Sequence, residues 1–158
     1  MRFQTHPWLA AGLAALLLAL APAALRADED RDSRPAADPR YAQAAELIGQ
    51  GRYEQALPLL QQVVQAQPQN ADAHNLLGYS TRKLGRLEEA LGHYRDALRI
   101  NPRHRGAHEY LGEAYLQLGQ LDKAKEELAF LDQDCWFPCG EFRDLKQAIA
   151  RFEANAKR

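Results

Sequence analysis

A 34-residue register constrains this chain more than any other feature. Pro68 and Pro102 stand 34 apart, as do Gly51, Gly85 and Gly119, Gly78 and Gly112, and Ala56, Ala90 and Ala124. Glycine, alanine and proline recurring together at one period mark a repeated supersecondary unit, and this length suits a pair of short helices. Alanine, leucine, glutamine, glutamate and arginine dominate while β-branched residues are scarce, so the units read as helical. The 158 residues carry Lys plus Arg 20 against Asp plus Glu 21. Such a length gives one small domain, and such a balance argues against nucleic acid as the partner.

The central unit, residues 71–104, shows how the register becomes structure. Leu77 and Thr81 share one face of its first helix, with Gly78 placed where two helix backbones must approach closely. Gly85 then supplies the turn, because a residue without Cβ enters left-handed dihedrals without strain. In the second helix Leu87, Ala90, Leu91, Tyr94, Ala97 and Leu98 recur at spacings of three and four, beside Glu88, Glu89, Arg95, Asp96 and Arg99. Pro102 ends it, since the residue before a proline is pushed out of helical dihedrals.

This pattern resembles the tetratricopeptide repeat. The family's small first-helix residue corresponds to Gly78 and Gly112, and to Ala44 in the weakest copy. Its alanine opening the second helix is Ala56, Ala90 and Ala124; its large residue four further on is Leu60, Tyr94 and Leu128; its closing proline is Pro68 and Pro102. Two departures stand out. Arg40, His74 and His108 occupy the place of a tryptophan or large apolar residue, and Trp136 stands where a third closing proline belongs. The resemblance runs from Ala37 to about Phe137. It implies an all-α helical solenoid of three helix-turn-helix units, at about 37–70, 71–104 and 105–138. A final amphipathic helix over 141–156, with Phe142, Leu145, Ile149 and Phe152 on one stripe, then caps the last hairpin.

The chain opens with Arg2, an apolar run from Trp8 to Ala21, Pro22 and a small-residue stretch to Ala27, which is the layout of a secretory signal peptide. Cleavage is expected after Ala27, with Ala23 as the alternative. The run is shorter than the roughly 20 residues of a spanning helix, so no stable membrane insertion is expected after cleavage. No cysteine follows it, which argues against a bacterial lipid anchor. Loss of residues 1–27 removes Arg2 and Arg26 and no acid, leaving a net charge of −3. Residues 28–37 mix charges with Ser, Pro and Ala and read as a flexible lead-in. Asp38 and Pro39 then suit the N-cap and first position of a helix, and Pro58 should kink the next one mildly.

Both cysteines, Cys135 and Cys139, lie in the segment 135–140 that interrupts the repeat. In an exported protein two cysteines with no third most often form a disulfide. The five-residue loop it closes is worth about 2 kcal/mol by chain entropy, so its role is to fix a corner. Trp136 and Phe137 would pack beneath it or form a small exposed contact. Thiol exchange is the sharper alternative, although the spacing is not that of thioredoxin-like sites. Metal binding through two thiolates is another, and makes an incomplete site. His104 and His108, four apart, admit a metal-ligand reading or a packing and capping one; His74 is the repeat equivalent of His108.

The resemblance implies a concave groove lined by the first helix of each unit. Family positions map onto Tyr41, Ala45 and Ile48, then Asn75, Tyr79, Arg82 and Lys83, then Glu109, Glu113 and Leu116. The family's chaperone-tail site is not implied, because Gly106 and Tyr110 stand where its third unit needs basic groups. The chain shows no nucleophile and base at a recognisable spacing, no glycine-rich phosphate loop and no paired carboxylates of a defined cleft. The expectation is therefore an exported, non-enzymatic scaffold of the bacterial envelope, periplasmic or secreted. It would bind a protein or peptide through groove anchors such as Tyr79 and Arg82, with no cofactor and no resident metal. The runner-up is an accessory thiol-redox or metal-handling protein using Cys135 and Cys139.

Overall fold

A computed structural model describes residues 38–156; the expected signal peptide and lead-in, residues 1–37, lie outside them. The described residues form α1 (Pro39–Gly49), α2 (Tyr53–Ala66), α3 (Ala71–Lys83), α4 (Leu87–Ile100), α5 (Arg105–Gln117), α6 (Leu121–Asp134) and α7 (Gly140–Ala156), with no strand among them. The fold is the all-α helical solenoid that the register implies.

Three hairpin turns are built alike. Gly51, Gly85 and Gly119 sit at φ +74°, +78° and +73°, the left-handed region that glycine enters freely. At each, the next residue's N–H reaches back to a carbonyl in the last helical turn: Arg52 to Leu47 at 2.8 Å, Arg86 to Thr81 at 3.0 Å and Gln120 to Tyr115 at 2.8 Å. The glycine N–H bonds Ile48, Arg82 and Leu116 in turn, so orphan carbonyls at each helix end are satisfied. The starts of α1, α3 and α5 are capped by side chains as well, whereas those of α2, α4 and α6 are not. Asp38 accepts from the Arg40 N–H, Asn70 from Ala73 and the His104 ring from Ala107.

Each helix packs on the next in sequence, and α1 also meets α3, α3 meets α5 and α5 meets α7. Among the described residues α2, α4 and α6 do not meet one another. Odd helices in contact and even helices splayed define a curved stack whose inner face is carried by α1, α3, α5 and α7.

The core runs the length of the stack. Ala44, Ala56, Leu57, Leu60 and Leu77 are buried at one end. Ala90, Leu91, Tyr94, Leu111, Ala114, Ala124, Leu131, Leu145 and Ile149 form the larger cluster at the other. Gly78 is small for a reason other than the expected meeting of two backbones. A Cβ there would lie 2.5 Å from Cε1 of Tyr94, whose ring is wholly buried. A Cβ on Gly112 would lie 2.6 Å from Leu145 Cδ2. The small residues of α3 and α5 thus each make room for a large side chain of a later helix, and α7 uses the seat on α5.

Candidate partner-binding groove

The inner face is organised around Tyr79 of α3. Its ring centroid lies 6.0 Å from that of Tyr53, at the start of α2, and 4.9 Å from that of Tyr110 on α5. All three rings are half-buried, leaving an aromatic row open along one edge. Burial, reinforced by Glu109 and Tyr79, pushes the Tyr110 hydroxyl up to about 12. The Tyr110 phenol is therefore a neutral hydrogen-bonding group in solution. Exposed Lys83 holds its ammonium 5.7 Å from the Tyr79 centroid and 6.0 Å from that of Tyr53. A cation over aromatic faces is attracted by their quadrupoles.

Arg82 is placed differently from the surface anchor expected. Only 6% exposed, its Nη2 lies 2.7 Å from Glu113 Oε2 and its Nε donates to the Tyr94 hydroxyl at 3.3 Å. Its guanidinium also lies 5.4 Å from the Tyr79 centroid and 5.7 Å from that of Tyr110. Burial pulls against its charge, but Tyr94 and Glu113 outweigh burial and hold it ionised. One side chain therefore ties α3, α4 and α5 together. A buried arginine so engaged sets the shape of the groove rather than reaching for a partner.

Glu109, one turn before Glu113, is half-buried, and burial together with Glu113, Asp144 and Glu141 pushes its carboxyl up to about 7 against the pull of Arg82. Asn75, its counterpart on α3, is buried with Oδ1 unpartnered among the described residues. Leu116 is buried as well. Tyr41 is half-buried and packs on the cluster of Ala44, Ala56 and Leu60, while Ala45 is exposed and Ile48 half-buried. The named residues are thus joined most tightly from Tyr79 to Leu116. There Arg82, Glu113, Leu116 and Gln117 combine with Ala148, Arg151 and Phe152 of α7 to line a cleft of about 450 Å³. The contribution of α7 went unread in the sequence. Carrying the period once more, from Leu77 and Leu111 to Leu145, would have marked α7 as a further inner helix, although not its cleft-lining residues.

The remaining candidates have structural partners. His108 donates from Nε2 to the Pro102 carbonyl at 3.0 Å and from Nδ1 to Glu127 at 2.6 Å, with its ring stacked 3.7 Å from Phe130. Burial opposes its charge, and the Glu127 and Pro102 hydrogen bonds outweigh burial, so its imidazolium persists above the ordinary histidine range. His74 repeats the same bond, Nε2 to the Pro68 carbonyl at 3.3 Å. These histidines occupy the family's large apolar position because each ties an inner helix to the proline turn before it. His104 caps α5 and bonds Asp72 at 2.9 Å. Hence His104 and His108 do not converge as ligands. Among the described residues no group of three or more His, Cys, Asp or Glu could hold a metal ion.

Cys135 and Cys139 form a disulfide at the corner between α6 and α7. Of the two placements expected for Trp136 and Phe137, the exposed one is found, at 92% and 76%. Asp134 beside them receives Arg103 Nε at 2.6 Å and Arg105 Nε at 2.7 Å, which pins the end of α6 to the start of α5.

Comparison with known proteins agrees with this geometry. No curated protein sequence matches the chain. Among solved structures it is similar to the Yersinia enterocolitica type III secretion translocator chaperone SycD, with TM-score 0.67 and 16% identity over 75% of this chain and 84% of that one. A second SycD structure, in complex with a peptide of the translocator YopD, gives TM-score 0.63 and 19% identity over 75% and 89%. The first tetratricopeptide domain of Spaghetti (RPAP3), bound to the HSP90 peptide SRMEEVD, gives 0.60 and 20% over 70% and 90%. Two family models described as tetratricopeptide repeat match residues 41–102 and 81–133. Matched from α1 to α6 and built with glycine turns at the family's period, the chain belongs to the tetratricopeptide repeat family.

Proposed function

We propose that this chain is a non-enzymatic scaffold of the bacterial envelope that receives an extended segment of another protein along its inner face. One observation carries the reading: the Tyr53, Tyr79 and Tyr110 rings form an open-edged row beside the exposed Lys83 ammonium. Half-buried aromatics on a rigid frame offer large contact area at little ordering cost, which is why such residues dominate interface energies. The peptide complexes of SycD and Spaghetti support the same use of the fold. Export is supported by the leader layout of residues 1–27 and by the Cys135–Cys139 disulfide, since disulfides persist in oxidising compartments.

Peptides selected from a random library against the protein, then titrated calorimetrically, test the groove. Tyr79→Ala should weaken the selected peptides about thirtyfold, the size of an interface hot spot of about 2 kcal/mol, with the helical circular dichroism unchanged. Affinity untouched by that change would overturn the reading. N-terminal sequencing of the protein recovered from a periplasmic fraction tests export. A chain beginning at Met1 would refute it.

A further inference from the structure

The cleft between α5 and α7 has a definite chemistry. Its floor is apolar, made by buried Leu116 with half-buried Ala148 and Phe152. Its volume of about 450 Å³ falls within the range of roughly 300–1,000 Å³ usual for small-ligand pockets. Arg82 and Glu113 form one wall and neutralise each other at 2.7 Å. Arg151 at the rim is exposed and enters no ion pair with another described residue. It leaves the cleft with one uncompensated positive charge.

The rest of the inner face sets a direction. Exposed Lys83 ends α3, as Arg151 stands late in α7, so both cations lie toward the C-terminal ends of inner helices. The opposite end is mixed in charge: Glu109 lies early in α5 and Glu141 and Asp144 at the start of α7, but Arg103 and Arg105 stand beside Glu141, and the Glu109 carboxyl, pushed up to about 7, is only partly ionised at neutral pH. A negative group on a bound segment is drawn toward the Lys83 and Arg151 end.

We propose, resting on the groove reading above, that this cleft seats an apolar side chain of a partner segment carrying an aspartate or glutamate beside it. The apolar group covers Leu116, Ala148 and Phe152, and the carboxylate faces Arg151. In this account α7 is both the cap of the core and the last wall of the binding face.

The probes are two short blocked peptides, each with a central Leu-Phe pair, flanked by glutamates in one and lysines in the other. They are titrated into isotopically labelled protein and followed by NMR. The glutamate peptide should shift the backbone resonances of Leu116, Ala148 and Phe152 and bind at least about tenfold more tightly than the lysine peptide. Arg151→Glu, a change at an exposed site, should reverse that order. Equal binding of the two peptides, or an order insensitive to Arg151→Glu, would overturn the proposal. Shifts confined to Tyr53, Tyr79 and Tyr110 would overturn it while leaving the groove standing, and no shift anywhere on the inner face would remove both.

Discussion

At the scale of single residues, Gly78 and Gly92 show that one substitution has opposite signs at two helical sites. Alanine is intrinsically better than glycine inside a helix by about 1 kcal/mol. Gly92 on α4 is exposed, with nothing within 4 Å of a built Cβ, so Gly92→Ala should stabilise by about 0.5–1 kcal/mol. At Gly78 the same methyl meets the buried Tyr94 ring at 2.5 Å, and overpacking of about 1–3 kcal/mol outweighs the propensity gain. Urea unfolding should therefore show Gly78→Ala destabilised, and the cost should shrink in a Tyr94→Leu background. Glu109 gives a pH prediction of fixed sign. Its carboxyl is pushed up to about 7, so the folded protein keeps a proton that the unfolded chain has already released. Stability from this group is present below the ordinary carboxylate range and is lost as pH rises through about 7. His108, held above its ordinary value, acts in the same direction. Urea midpoints should fall between pH 5 and pH 8, and Glu109→Gln should reduce that fall without abolishing it; an unchanged slope would show that the carboxylate is solvated. The need for a small residue at 78 was legible in the sequence. Its reason was not, because a period locates positions and not the side chain that crosses from the next helix. Arg82 was misread as an anchor for the same cause: its partners Tyr94 and Glu113 belong to two other helices.

At the scale of helices and turns, glycine, proline and cap positions announced themselves in the sequence because each answers to local backbone chemistry. All three glycine turns appear with the same hydrogen bonds, and the histidine positions at 74 and 108 acquire the same proline carbonyl. The disulfide corner is a local device too. Cys135 caps α6 and Cys139 immediately precedes α7, so the bridge restricts only the passage between those two helices. Reduction should cost about 2 kcal/mol, the chain-entropy value for so short a loop. Its effect on amide hydrogen exchange should stay near the end of α6 and the first turn of α7, leaving protection in α3 and α4 unchanged. Loss of protection in α3 on reduction would mean that the corner holds the stack as a whole.

At the scale of the whole molecule, a solenoid is stabilised by contacts between neighbours, so each end is as strong as the surface that covers it. α7 covers the α5 and α6 end. Leu145 is fully buried in the seat left by Gly112, Ile149 is nearly so, and Phe142, Ala148 and Phe152 pack around them. Burying a leucine or isoleucine side chain is worth about 1.5–3 kcal/mol, so these two alone contribute on the order of 3–6 kcal/mol. A whole domain is stable by only about 5–15 kcal/mol. Ending the chain at Cys139 should therefore move the urea midpoint down by a large fraction of its full value. It should also lower the denaturant slope, because the apolar surface of Leu111 and Leu131 is then exposed before unfolding begins. Leu145→Ala alone should show a part of this loss, about 2–5 kcal/mol. A midpoint insensitive to both changes would make α7 an appendage to three self-sufficient hairpins, and the cleft it walls with α5 would no longer be a fixed feature of the fold.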